Sequence, residues 1–188
     1  MSQNNKSAQR IKIQKLTVAA VFTAISVVLT VTLRIPLFTS FYELEFADFP
    51  LLICTMLLGP VYGLASLFAV CLIQALTVSA FSGIIGFIMH FVASGAMLLI
   101  VWVIKRKISG IKGTVISAVC GVVAVTLIMI PMNIWLTSVF MQLPAKAFIA
   151  DYLVVCILFN VIKSLSNIVV FYITFPAIRK YYNRLFDR

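Results

Sequence analysis

The chain has 188 residues, of which 63% are apolar, and a mean hydropathy of +1.14. Soluble domains are nearer half apolar, and several apolar runs here reach the roughly 20 residues that cross a bilayer, so the composition excludes a soluble fold and points to a polytopic membrane protein. A formal net charge of +10 does not indicate nucleic acid, because the basic residues flank apolar runs as topology determinants do.

The polar start, MSQNNKSAQRIKIQK, lacks the short apolar region and small-residue cleavage site of a signal peptide. It reads as a retained tail over residues 1–15. Apolar segments follow at 16–38, 49–80, 82–104, 113–140 and 148–178. The second is too long for one crossing. It carries Gly59-Pro60, where glycine permits a turn and proline removes a backbone donor, so it divides into 49–58 and 60–79. The expectation is an all-α membrane protein of six transmembrane helices, a single transmembrane domain over 1–188. Each span is helical because a segment isolated in lipid satisfies its backbone internally.

The charges support that count. Lys6, Arg10, Lys12 and Lys15 precede the first span. Lys105, Arg106, Lys107 and Lys112 lie between the fourth and fifth, and Arg179, Lys180, Arg184 and Arg188 follow the sixth. Even numbers of crossings separate the three clusters, which places them on one side, the cytoplasm by the positive-inside rule. Both termini are then cytoplasmic. Glu43, Glu45, Asp48 and Asp151 fall outside or at the outer interface, and Asp187 inside. The outer loop LFTSFYELEFADFP, residues 37–50, is long enough to fold over an opening.

In the fourth span His90 stands alone, as a buried hydrogen-bonded histidine or a ligand contact. In the fifth span, LIMIPMNIW places Asn133 just after Pro131. It is either a hydrogen-bonding asparagine at a proline kink or a residue facing a cavity, with Met129, Met132 and Trp135 as apolar walls. The four cysteines, Cys54, Cys71, Cys120 and Cys156, all sit inside apolar runs and read as small hydrophobes.

The sixth span holds the most informative residue. Helical spacing puts Tyr152, Cys156, Asn160, Lys163, Ser164 and Asn167 on one stripe. A charge at the bilayer centre costs roughly 2.5–3.5 kcal/mol on insertion scales. That cost falls if the stripe faces a polar cavity or a ligand, with the asparagines offering donors and acceptors beside the ammonium. The alternative is that Lys163 pairs internally and fixes helix packing.

Absences narrow the function. GIKGT at 110–114 lacks phosphate-loop spacing. No acid lies mid-span for ion coupling. One histidine cannot build an intramembrane metalloprotease, and Ser164 beside Lys163 lacks the geometry of a nucleophile and its base. The chain reads as no enzyme, without cofactor or metal.

FADFPLLICTMLLGPVYGLASLF, residues 46–68, resembles the D-x-P…GP-x-x-G signature of substrate-binding S components of energy-coupling factor (ECF) vitamin transporters. AVFTA, with Ala20 and Ala24, resembles that family's AxxxA motif in the first span, and FNVIKSLSN resembles the sixth-span motif of its riboflavin-specific group. The resemblance covers essentially the whole chain. It implies a multi-pass protein of the bacterial cell membrane that captures riboflavin in an outward-facing pocket capped by residues 37–50. Riboflavin is then the transported ligand, moved with a transmembrane coupling subunit and two cytosolic ATPases. On that reading Lys163, Asn160 and Asn133 meet the polar edge of the ring, with Asn167 and Ser164 on the same stripe. Glu43, Asp48 and Thr39 offer groups to the ribityl hydroxyls, and Phe41, Phe46 and Phe49 cover the ring, with Leu44 and Ala47 also in the capping loop. Ala20 and Ala24 meet the coupling subunit. Another vitamin, or a small membrane enzyme or scaffold without a tight ligand, remain the alternatives.

Overall fold

The computed structural model describes residues 3–39 and 42–186. Phe41, Asp187 and Arg188 lie outside the described residues, as does the side chain of Lys6. Helix α1 spans Gln3–Thr32, α2 Asp48–Leu58, α3 Pro60–Leu76, α4 Gly83–Lys107, α5 Gly110–Met132, α6 Ser138–Met141 and α7 Ala145–Phe186. A π-helical turn, Asn133–Thr137, joins α5 to α6. Two short strands, β1 Ile35–Pro36 and β2 Glu43–Leu44, pair antiparallel with Ile35 opposite Leu44.

Helix α1 begins at Gln3, inside the segment read as a tail, and ends at Thr32. Pro36 disfavours helical backbone at Ile35, and the chain turns into the hairpin. The outer loop therefore holds a strand pair that hydropathy does not reveal, since each strand has two residues. Its last three residues, Asp48, Phe49 and Pro50, form the first turn of α2. An acid suits that helix end, and a proline is tolerated there because the first-turn N–H groups have no intrahelical partner.

Four helical stretches are long and apolar enough to cross a membrane: Gln9–Thr32, Gly83–Lys107, Gly110–Met141 and Ala145–Phe186. The expected break at Gly59-Pro60 is present, with Gly59 at φ 101°, a conformation that favours glycine. The two helices it separates are shorter than the rest. At about 1.5 Å per residue α2 spans about 16 Å, half the hydrocarbon thickness. It survives because protein surrounds it: Leu51, Leu52, Ile53 and Cys54 are fully buried, and α2 packs on α1, α3, α4 and α7. The α2–α3 crossing is close. A Cβ on Gly63 would collide with the Thr55 side chain and sit 3.2 Å from its Cα.

Helix direction alternates along the chain. Arg34, beyond the end of α1, donates to the Val78 carbonyl at the α3–α4 turn, so these two ends meet. At the far end Lys105 donates to Thr114 Oγ1 and lies over the Tyr172 ring. The α4–α5 turn with Lys105, Arg106 and Lys107, and the start of α1, are thus remote from the hairpin. Within the helices, many hydroxyls return to the carbonyl one turn back, as in Thr23 to Ala19 and Ser164 to Asn160, which satisfies them without water; the buried Ser26 and Ser138 hydroxyls have no such partner.

Candidate functional site

A cavity of about 390 Å³ opens at the hairpin end, within the size range of small-molecule sites. Met89, Met97, Val125, Met129 and Phe159 supply apolar wall; Glu45, Asp48, Gln74, His90, Asn133, Asn160 and Lys163 supply polar wall. Val78, Ser79, Phe81 and Phe140 also line it. Phe81 and Phe140 meet edge-on at 5.3 Å there.

Lys163 Nζ donates to Glu45 Oε1 at 2.7 Å. Glu45 also accepts from Gln74 Nε2 at 3.1 Å. Gln74 Oε1 lies 2.5 Å from His90 Nδ1, and His90 Nε2 lies 3.3 Å from Asp48 Oδ1. The hairpin exit, α2, α3, α4 and α7 thus meet in one chain of charged and polar groups. Burial alone would raise the pKa of Glu45, but Lys163 and then His90 outweigh it and hold the carboxyl below the usual range. An ionised Glu45 suits an ammonium partner, since buried charges persist when paired and hydrogen-bonded.

Asn167 holds the loop by its backbone. Its Nδ2 donates to the Glu45 carbonyl at 2.9 Å, and its Oδ1 accepts from the Phe49 N–H at 3.1 Å. Both ends of the segment carrying Glu45 and Asp48 are clasped by one fully buried amide.

Asn133 fastens the hairpin to the other wall. Pro131 lacks an N–H, and the π-helical turn begins two residues later. Asn133 Nδ2 donates to the Met129 carbonyl at 2.8 Å, while its Oδ1 accepts from Tyr42 Oη at 2.9 Å and Thr137 Oγ1 at 3.1 Å. Burial raises the Tyr42 hydroxyl pKa, so it remains a donor. Its ring stacks on Phe159 with centroids 4.7 Å apart.

The cavity wall therefore brings together Lys163, Asn160, Asn133, Ser164, Glu43 and Asp48. Asn160 is buried and donates to the Cys156 carbonyl. Asn167, Thr39, Leu44, Phe46 and Ala47 do not line it. Thr39 Oγ1 accepts from the Tyr42 N–H within the hairpin; Leu44 and Ala47 are buried, and Phe46 is half-buried. Of the apolar candidates in the fifth span, Met129 lines the cavity, Met132 packs against the core and Trp135 is exposed. His90 is both buried and on the wall. Ala20 and Ala24 are exposed on α1, away from its buried face of Ala19, Phe22, Ser26 and Thr30.

Sequence reasoning missed Glu45, Gln74, Tyr42 and Arg34 as cavity residues. Glu45 had a signal: a lysine deep in an apolar helix needs a carboxylate, and the chain has only five acids, three of them in ELEFAD. Gln74 was a lone amide in an apolar segment. Arg34 and Tyr42 become legible only once the hairpin folds.

A family model described as the substrate-specific component of ECF transporters matches residues 14–178. The chain belongs to that family, and is a substrate-binding subunit of a membrane transporter rather than an enzyme. It is similar to the riboflavin transporter FmnP of Bacillus subtilis (strain 168), with 26% identity over 177 residues, 89% of this chain and 93% of FmnP. Its fold is similar to the solved structure of the S component of a bacterial ECF transporter, with a TM-score of 0.78, 22% identity, and coverage of 90% of this chain and 98% of that one.

Proposed function

We propose that this chain is the riboflavin-capturing subunit of an ECF uptake transporter in a bacterial cell membrane. The observation that carries the reading is one cavity whose lining combines apolar side chains, Met89, Met97, Met129 and Phe159, with the polar side chains of Lys163, Asn160 and Asn133. Isoalloxazine combines the same two characters, with a dimethylbenzene edge and a pyrimidine edge of carbonyls and an N–H. The amides of Asn160 and Asn133 can each donate and accept, and Lys163 donates to a ring carbonyl or nitrogen. Glu43 and Asp48 take the ribityl hydroxyls. Asn167, Thr39, Leu44, Phe46 and Ala47 act one layer behind, by holding the capping segment in place. The similarity to FmnP across nearly the whole chain supports the same ligand.

The chain crosses the membrane with six helices, α2 and α3 forming the shorter pair, and both termini face the cytoplasm. The basic residues of the α4–α5 turn and the end of α7 share the end of the bundle remote from the cavity, which supports that orientation. The cavity then faces outward. A transmembrane coupling subunit docks on the exposed Ala20–Ala24 face, where small side chains allow close helix approach, and two ATPases supply the energy.

The test is an absorption spectrum of the purified protein followed by riboflavin titration with fluorescence quenching. A yellow preparation with saturable binding is expected. A protein that carries no flavin and quenches none, or that binds a different vitamin instead, overturns the assignment.

A further inference from the structure

Resting on the riboflavin reading, the inference concerns the ligand's tail. Besides the Tyr42 hydroxyl, six acidic or basic side chains line the cavity: Arg34, Glu43, Glu45, Asp48, His90 and Lys163. Each cation already has an anion. Arg34 Nη2 pairs with Glu43 Oε2, Lys163 with Glu45, and His90 with Asp48. Two permanent cations face three carboxylates, a net charge of −1, or zero when His90 is doubly protonated. No lining cation is left unpaired among the described residues.

The Arg34–Glu43 pair lies toward the opening. Its side chains are 21% and 29% exposed, against 18% for Lys163 and 4% for Glu45. Arg34 is held there by the Val78 carbonyl at 2.8 Å and Ser79 Oγ at 3.0 Å. A guanidinium so fixed is the natural receptor for a phosphate, but Glu43 pairs with its Nη2 and neutralises its charge, while its Nε is buried without a partner.

We infer that Glu43 is a specificity-determining residue: by neutralising Arg34 at the cavity mouth, it makes the site select the uncharged flavin alcohol over its 5′-phosphate monoester. A ribityl hydroxyl donates to Glu43 and accepts from Arg34, so it can join the pair without breaking it. A phosphate carries about −1.5 to −2 charge and only accepts at that charge. It must displace Glu43 from Arg34, leave a carboxylate unpaired, and sit in a cavity that already holds three. Like-charge juxtaposition of this kind is a device for rejecting a wrong partner.

The experiment titrates the purified protein with riboflavin and with riboflavin 5′-phosphate, in wild type and Glu43→Gln. Wild type is expected to bind the phosphate about tenfold or more weakly. Glutamine keeps an acceptor for Arg34 but removes the charge, and is expected to narrow that ratio several-fold. The wild-type ratio is also expected to narrow between 0.1 and 1 M salt, as the screening length falls from about 10 to about 3 Å. Equal wild-type affinities overturn the inference. So does a ratio that Glu43→Gln leaves unchanged, which would mean a steric limit on tail length. Where the variant does not fold, the salt series decides, and a salt-independent ratio overturns the inference. Failure of riboflavin itself to bind is a separate result, which removes the functional reading.

Discussion

Glu45 and Lys163, 118 residues apart in the chain, meet at 2.7 Å on the wall of the cavity. One comes from the segment that follows the hairpin and the other from the middle of α7. Their pairing ties the position of the segment after the hairpin to the helix that carries the asparagine stripe.

Lys163→Met removes that tie. Loss of a charged hydrogen-bond donor is expected to weaken riboflavin binding by about 1.5–3 kcal/mol, a tenfold to few-hundredfold rise in Kd. It also leaves the Glu45 carboxylate buried without its cation, so the melting temperature is expected to fall. Lys163→Met combined with Glu45→Gln should recover stability more than affinity. Titration and thermal unfolding of both variants check this. Recovery of affinity with stability would assign Lys163 to the frame alone.

Tyr42→Phe deletes one hydroxyl between the hairpin and Asn133 while keeping the stack on Phe159. The expected cost to stability is about 0.5–1.5 kcal/mol. On the proposal that the hairpin caps the cavity, the ligand dissociation rate is expected to rise more than the association rate falls. Stopped-flow fluorescence measures both rates.

Gly63→Ala places a methyl group against Thr55. Overpacking of this kind typically costs about 1–3 kcal/mol, and a lower melting temperature is expected. Thr55→Gly in the same chain removes the obstructing side chain and should restore part of the loss. No restoration would mean that the α2–α3 crossing has room to adjust.

Ala20→Trp or Ala24→Trp alters an exposed surface of α1. Riboflavin affinity of the isolated subunit is expected to remain normal, and uptake by the complete transporter in vesicles to fall strongly. Loss of affinity in the isolated variant would show that this face packs within the subunit.

Accessibility labelling checks the orientation. A cysteine introduced in place of Lys107, in a background where Cys120 is replaced by serine, is expected to react with an impermeant reagent only after the membrane is opened. Reaction in intact cells would reverse the topology.

Much of the helical frame could be read from the chain. The break at Gly59-Pro60 and the polar stripe at Asn160, Lys163 and Ser164 rest on local rules: proline chemistry and 3.6-residue periodicity. The partner of Lys163 was harder to see. Glu45 stands in a short segment without periodicity, and its pairing depends on a two-residue strand contact and on backbone bonds to Asn167. The lengths of α1 and α7 exceeded the apolar runs because helix continues beyond the point where hydropathy ends. Asn133 was visible through Pro131, whereas its partner Tyr42 lies 91 residues away in a loop without periodicity.

The Asn167 clasp bears on how such a pocket could change its ligand. It grips only main-chain atoms, the carbonyl of Glu45 and the amide of Phe49, so it does not depend on which side chains point from positions 45 and 48. A library varying those two positions, with complementary changes at 74, 90 and 163, would alter the chemistry of the cavity while leaving the main-chain clasp intact. Repurposing the subunit for a different small molecule then becomes a matter of exchanging a few side chains on a standing scaffold, with no redesign of the hairpin or the helices.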